Sequence, residues 1–272
     1  MRHQLSFTCE GCTLAATLDD APETTGLLIV SGGNEVRSGA HRGMATLAQQ
    51  VALAGYPVLR FDRRGIGDSE GTNGGFENSR SDIAAAIAAF RQAAPQVTRL
   101  VAFGNCDAAS ALLLHQPLAL DALILANPWT YDGEQADEAG EPALPPASAI
   151  RARYLSRLKD PKSLFRLIRG EVDLRKLFRG LSALGAPAAP APPDSLAARI
   201  DGAIAALAAP ATILLATGDR TAQAFIENCP AALQRIPVER LASASHSFAG
   251  DDAEWLAERI LAALSGQTVA IA

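Results

Sequence analysis

The chain has 272 residues, 49% hydrophobic and 5% aromatic, with a formal net charge of −5. That is enough apolar chain for one α/β domain with a large core, with or without an insertion, and it excludes disorder of the whole chain. The acidic balance lacks the basic footprint of a general nucleic-acid binder. No apolar leader opens the sequence and no stretch is long enough to span a membrane, so a cytoplasmic setting is expected.

Residues 4 to 9 and 12 to 18 alternate as an antiparallel hairpin, joined by Cys9-Glu10-Gly11-Cys12. This C-x-x-C has no second pair and no histidine nearby, so it reads as a tight turn rather than a metal or redox centre. With Cys106 and Cys229 it makes four dispersed cysteines, too few for a disulfide framework. Leu27 to Val30 is a short apolar run of the kind buried on both faces.

From there strands alternate with helices. Helix 42–54 precedes strand 57–61, helix 78–94 precedes strand 99–103, and helix 107–115 precedes strand 122–126. Such alternation predicts a mostly parallel sheet of about eight strands with helices on both faces. Beyond Pro128 the pattern breaks. A loop rich in Gly, Glu and Pro runs to Pro146, residues 150–181 repeat apolar positions at helical spacing, and 184–193 is almost wholly Ala, Pro and Gly. The expected domains are therefore a core of 1–128 and 201–272 and a helical insertion of 129–200. Strand 211–216, a helix near 221–228, strand 237–241 and helix 251–264 complete the core.

Strand 99–103 runs into Gly104-Asn105-Cys106-Asp107-Ala108 and then into a helix. Small residues two before and two after Cys106 are what a sharp strand-to-helix turn needs, because the two elements pass at backbone contact there. The turn lifts the sulfur above the sheet edge, beside the free N–H groups of a helix N-terminus, where a thiolate is favoured. Asp219 follows strand 211–216 and His246 follows strand 237–241. A parallel sheet gathers residues that follow its strands at one edge, so Cys106, Asp219 and His246 are expected to converge.

The order nucleophile, acid, base resembles that of the α/β-hydrolase superfamily. Other segments match that pattern too: Ser31-Gly32-Gly33-Asn34, the run Phe61 to Ser69, Gly218-Asp219 and Ser245-His246-Ser247-Phe248. The run from Gly32 to Arg42 with a cysteine elbow is most similar to the hydrolase 1 subgroup associated with exosortase A systems. Ala108 in place of Gly, and Cys106 in place of Ser, depart from the usual elbow.

The resemblance implies the α/β-hydrolase fold, a helical cap over the nucleophile, and a Cys106-His246-Asp219 triad. His246 takes the thiol proton or pairs with the thiolate as imidazolium, and Asp219 holds its tautomer. The oxyanion hole implied is the main-chain N–H of Asp107 with that of Gly33, Asn34 being the alternative donor. A likeness to dienelactone hydrolases, which also use Cys, His and Asp, implies an auxiliary role for Glu35. The charged run Asp62, Arg63, Arg64, Asp68 and Ser69 reads as a structural brace. Asp219 is also a natural helix N-cap, and a free cysteine a natural core filler.

Residues 151–180 carry ten basic and three acidic residues within an otherwise acidic chain. That charge is either a solvated cap face or a receiver for an anionic acyl compound, an acyl-carrier partner or an acidic membrane surface. The expected function is hydrolysis of an ester or thioester of a small or medium acyl substrate through an acyl-cysteine. Alternatives are acyl transfer by the same intermediate, or a noncatalytic accessory protein. No cofactor, no metal and no nucleic-acid partner are expected, and the chain is read as a monomer or homodimer.

Overall fold

The computed structural model describes residues 1–132, 192 and 194–266. The strands are β1 (Arg2–Cys9), β2 (Cys12–Asp19), β3 (Thr25–Val30), β4 (Val58–Phe61), β5 (Arg99–Asn105), β6 (Ala122–Ala126), β7 (Ala211–Ala216) and β8 (Val238–Leu241). Among the described residues the α-helices are α1 (Gly43–Leu53), α2 (Arg80–Ala93), α3 (Asp107–Leu114), α4 (Leu196–Ala206), α5 (Arg220–Asn228), α6 (Ala232–Arg235) and α7 (Asp252–Ser265).

The strands form one sheet in the order β1-β2-β4-β3-β5-β6-β7-β8. β1 and β2 pair antiparallel, β2 pairs antiparallel with β4, and every pair from β4 to β8 is parallel. The expected mostly parallel sheet of about eight strands is what forms. The hairpin closes with Cys9 opposite Cys12, and Glu10 and Gly11 take φ of 47° and 83°, the positive pair that a two-residue turn needs. All four cysteines are free thiols.

Alternation along the strands sorts the core into two layers. Leu27, Ile29, Val101 and Phe103 pack on one face with Leu47 and Val51 of α1 and Ile260 and Leu264 of α7. Leu28, Val30, Leu100 and Ala102 pack on the other with Ile83 and Phe90 of α2, Leu112 of α3 and Phe225 of α5. Most of the expected cap, 133–191, lies outside the described residues. Its expected boundary at 200/201 falls inside α4, whose Leu196, Ala197, Ile200 and Ile204 are buried in the core. The apolar period of 3.6 therefore carries the core helix several residues earlier than the Pro-rich composition suggests. Helix α6, only four residues long, has no periodic signal in the sequence to announce it.

Candidate active site

The parallel strands end at one edge, and the chemistry-bearing residues follow them. β5 delivers Cys106 as the N-cap of α3, with φ 61° and ψ −126°. Its main chain is fully engaged: N–H donates to the Ala126 carbonyl at 2.9 Å, and the carbonyl accepts from Ala109 at 3.1 Å and Trp129 at 3.2 Å. The close approach requires Gly104, since a Cβ there would lie 2.8 Å from the Ala108 carbonyl carbon. Cys106 is partly exposed, unlike the buried Cys9 and Cys229, so it does not merely fill the core.

His246 and Asp219 meet as the strand order predicts. His246 Nδ1 donates to Asp219 Oδ2 at 3.1 Å, and His246 lines the same cleft as Cys106. With Nδ1 engaged, Nε2 is the nitrogen left to face the sulfur. The Asp219 bond, then the neighbouring Cys106, push the His246 imidazolium up to about 10 against the opposing effect of burial. Asp219 Oδ2 also caps α5, accepting from Thr221 N–H at 3.1 Å and Ala222 N–H at 3.2 Å. N-cap and histidine partner are thus the same oxygen, and the cap fixes the carboxylate at 7% exposure.

The expected oxyanion donors fare differently. The Gly33 N–H donates to Asp107 Oδ1 at 2.7 Å and is not directed into open space. The reason lies in burial. Asp107 is 9% exposed, so its carboxylate must find partners, and the loop after β3 is the nearest source. Burial raises the Asp107 carboxyl, while Arg63 and the N–H groups of Gly33 and Ala108 lower it. Arg63, itself 4% exposed, donates to the Gly33 carbonyl from the other side. A Cβ on Gly32 would sit 2.5 Å from Asp107 Oδ1, so the loop closes this tightly only on glycine. The Asn34 side chain accepts from Asn73 Nδ2 at 2.9 Å. Glu35 reaches the same cleft as Cys106 and His246.

The rest of the charged run after β4 is paired within itself and to Arg37 and Asp82. Asp62, fully buried, accepts from the Arg37 guanidinium and from Asp68 N–H at 3.1 Å, and Ser69 Oγ donates to the Asp62 carbonyl at 2.7 Å. Arg64 Nε donates to Asp82 Oδ1 at 2.5 Å.

Two asparagines escaped the sequence reading. Asn105 Nδ2 donates to the His246 carbonyl at 3.0 Å, and Asn127 Nδ2 lies 3.3 Å from the same oxygen. Asn127, at φ 41° and fully buried just past β6, also accepts the Ala216 N–H at 2.9 Å. A polar residue at the end of β5 and another just past β6, at the edge where Cys106, Asp219 and His246 lie, was the available signal. Tyr131 also approaches the site: its hydroxyl donates to the Arg220 carbonyl at 3.3 Å, and burial followed by the Asp219 charge raises its phenol.

The cleft beside Cys106 and His246 measures about 120 Å³. Among the described residues no group of three or more His, Cys, Asp and Glu side chains is placed to hold a metal, and no helix is long and apolar enough to cross a membrane.

A model of the alpha/beta hydrolase family matches residues 27–259, and the chain belongs to that family. Solved structures share its fold. An esterase of Pyrococcus furiosus is 15% identical with a TM-score of 0.64, covering 98% of this chain and 91% of that one. The alpha/beta hydrolase GrgF from Penicillium sp. sh18 is 18% identical with a TM-score of 0.65, covering 98% and 99%. A thioesterase domain from the curacin biosynthetic pathway is 17% identical with a TM-score of 0.59, covering 96% and 99%. No curated protein matches the chain by sequence.

Proposed function

We propose that the chain hydrolyses an ester or thioester by way of an acyl-cysteine on Cys106. The observation that carries this is the sulfur on its tight bend, in one cleft with an imidazole whose Nδ1 donates to Asp219. In the reading we favour, Cys106 reacts as a thiolate beside the His246 imidazolium. The thiolate attacks the acyl carbonyl, the His246 proton passes to the departing alkoxide or thiolate, and a thioester to Cys106 remains. His246, now neutral, takes a proton from water, and the resulting hydroxide releases the acid and restores the thiolate.

The Asp107 main-chain N–H, first in α3, is the first oxyanion donor in this scheme. The second comes from the loop at Gly33 and Asn34, with Gly33 serving once its N–H swings from the Asp107 carboxylate to the stronger acceptor that forms in the reaction. A nucleophilic thiol must stay reduced, so action in a reducing compartment, the cytoplasm, belongs to the proposal. The likeness of residues 32–42 and the cysteine elbow to the exosortase-associated subgroup supports placing the chain there. The basic segment 151–180, outside the described residues, suits an anionic acyl substrate or its carrier.

The test is intact-mass spectrometry after brief exposure to a panel of activated esters and thioesters. The expected result is a mass increase equal to one acyl group that is absent in Cys106→Ala and that decays in water. No adduct with any member of the panel, or an adduct that survives Cys106→Ala, overturns the reading. Retention of the acyl group until an alcohol or amine is added would instead identify acyl transfer.

A further inference from the structure

A second depression, of about 400 Å³ and open to solvent, lies over the antiparallel edge of the sheet. Gln4, Thr17 and Arg60 line it side by side, Gln4 opposite Thr17 and Thr17 opposite Arg60 in the register of β1, β2 and β4. The loop before α1 supplies Ser38 and Arg42, and the loop after β4 supplies Asp68. Its floor is buried, with Thr17 and Arg60 each 3% exposed and Asp62 wholly enclosed.

Four guanidiniums line this basin, those of Arg2, Arg37, Arg42 and Arg60. Among the described residues three carboxylates answer them. Asp19 accepts from Arg2 Nε at 2.6 Å and from Arg60 Nη2 at 3.2 Å, Asp62 accepts from Arg37, and Asp68 lies 2.9 Å from Arg37 Nη1. The Arg42 side chain has no partner among the described residues. Arg60 keeps its Nε buried with no acceptor, an unfavourable state for a polar N–H withdrawn from water. Burial lowers the Arg60 guanidinium, Asp19 raises it, and the nearby charges of Arg2 and Arg37 lower it further. The basin is short of negative charge and of acceptors.

An anion with several oxygens supplies both. Guanidinium forks match a phosphate group, and Ala45, in the first turn of α1, brings the positive end of that helix to the same place. Asp68, 73% exposed, with Gln4 and Ser38 offers acceptors for hydroxyl groups beyond the phosphate. At about 30 Å³ for a water-sized group, the basin holds about thirteen such groups, roughly a phosphate on a five-carbon polyol.

We propose that this basin is a binding site for a small hydroxylated phosphate ester, separate from the Cys106 cleft. The two share no lining residue, and the loop before α1 stands between them, Glu35 and Ala40 lining the cleft and Ser38 and Arg42 the basin. The site does not depend on the acyl-cysteine reading.

The experiment is calorimetric titration of the full chain at low ionic strength with ribose 5-phosphate, inorganic phosphate and ribose. Ribose 5-phosphate is expected to bind, inorganic phosphate to bind about tenfold more weakly, and ribose to give no heat. Arg42→Gln is expected to weaken ribose 5-phosphate by about tenfold, the effect of losing one charge-assisted hydrogen bond. Arg2→Gln is expected to weaken it as well, and it keeps the test decisive if Arg42→Gln fails to fold. Cys106→Ala is expected to leave the affinity within twofold. Failure of both phosphates to bind overturns the site, as does an affinity that neither arginine substitution moves by more than twofold. Inorganic phosphate binding as tightly as ribose 5-phosphate overturns the ester, and loss of binding in Cys106→Ala overturns the separation from the cleft.

Discussion

The Asn105 side-chain amide donates to the His246 carbonyl at 3.0 Å, so the residue just before Cys106 also holds the loop that carries His246. Asn127 completes the clamp from β6, its amide shared between the His246 carbonyl and the Ala216 N–H. Sulfur and imidazole are thereby referenced to the same strand ends.

Loosening that clamp should misplace the base without removing it. Asn105→Ala is expected to lower kcat for any accepted ester by about tenfold with KM changed far less, because small errors in alignment are costly when a proton must be delivered. Asn127→Leu leaves the Ala216 N–H unpaired and removes one of the two donors to the His246 carbonyl, which costs about 1–3 kcal/mol in urea unfolding. Equal loss through KM in Asn105→Ala would assign it to substrate binding instead.

The His246 imidazolium is held up to about 10 in the folded protein against an ordinary value of 6.5. A raised value means that the charged form stabilises the fold fully below about pH 6.5, and that this contribution is lost as pH rises through about 10. The proposed thiolate beside that charge is tested with iodoacetamide, which alkylates thiolates. An ordinary thiol is about 1% thiolate at pH 6.5. In His246→Ala the rate at pH 6.5 should fall by about 10- to 100-fold and recover toward pH 9.

Asp107→Ala removes the acceptor for the Gly33 N–H and the nearest counter-charge to the buried Arg63. The expected loss is about 1–3 kcal/mol, since the Gly33 N–H loses its acceptor and the buried Arg63 loses one of its two counter-charges. Asp107→Asn, which keeps an acceptor oxygen while dropping the charge, should recover part of it. Thermal unfolding of the two variants beside the unaltered protein gives the comparison.

Gly104→Ala forces a Cβ to within 2.8 Å of the Ala108 carbonyl carbon, backbone that cannot yield locally. A loss of about 1–3 kcal/mol is expected from overpacking. The Cys106 labelling rate should drop with it, as β5 and α3 are pushed apart at the bend.

The sheet and the meeting of Cys106, Asp219 and His246 were legible because both depend on local signals that add up: period-2 and period-3.6 runs, and a single residue past each strand end. Relations set by side-chain direction were not legible. The sequence places Gly33 and Asp107 in the two halves of an oxyanion hole, yet the Asp107 carboxylate turns back and takes the Gly33 N–H. Whether Asp219 caps a helix or holds a histidine looks like a choice in the sequence, and in three dimensions one oxygen does both. Asn105 and Asn127 carry no motif of their own, because their partners are a carbonyl and an amide that every residue possesses. The start of α4 was hidden by the Pro-rich run ahead of it.

Cys106 keeps φ 61° and ψ −126°, a shape an unrestrained chain would abandon, at a cost of about 1–3 kcal/mol met by its neighbours. Reactivity is consequently more fragile than shape. Mild warming or dilute urea that lets the Ala126, Ala109 and Trp129 contacts breathe would relax this one residue first, and the thiol would fall silent while circular dichroism still reported an intact protein.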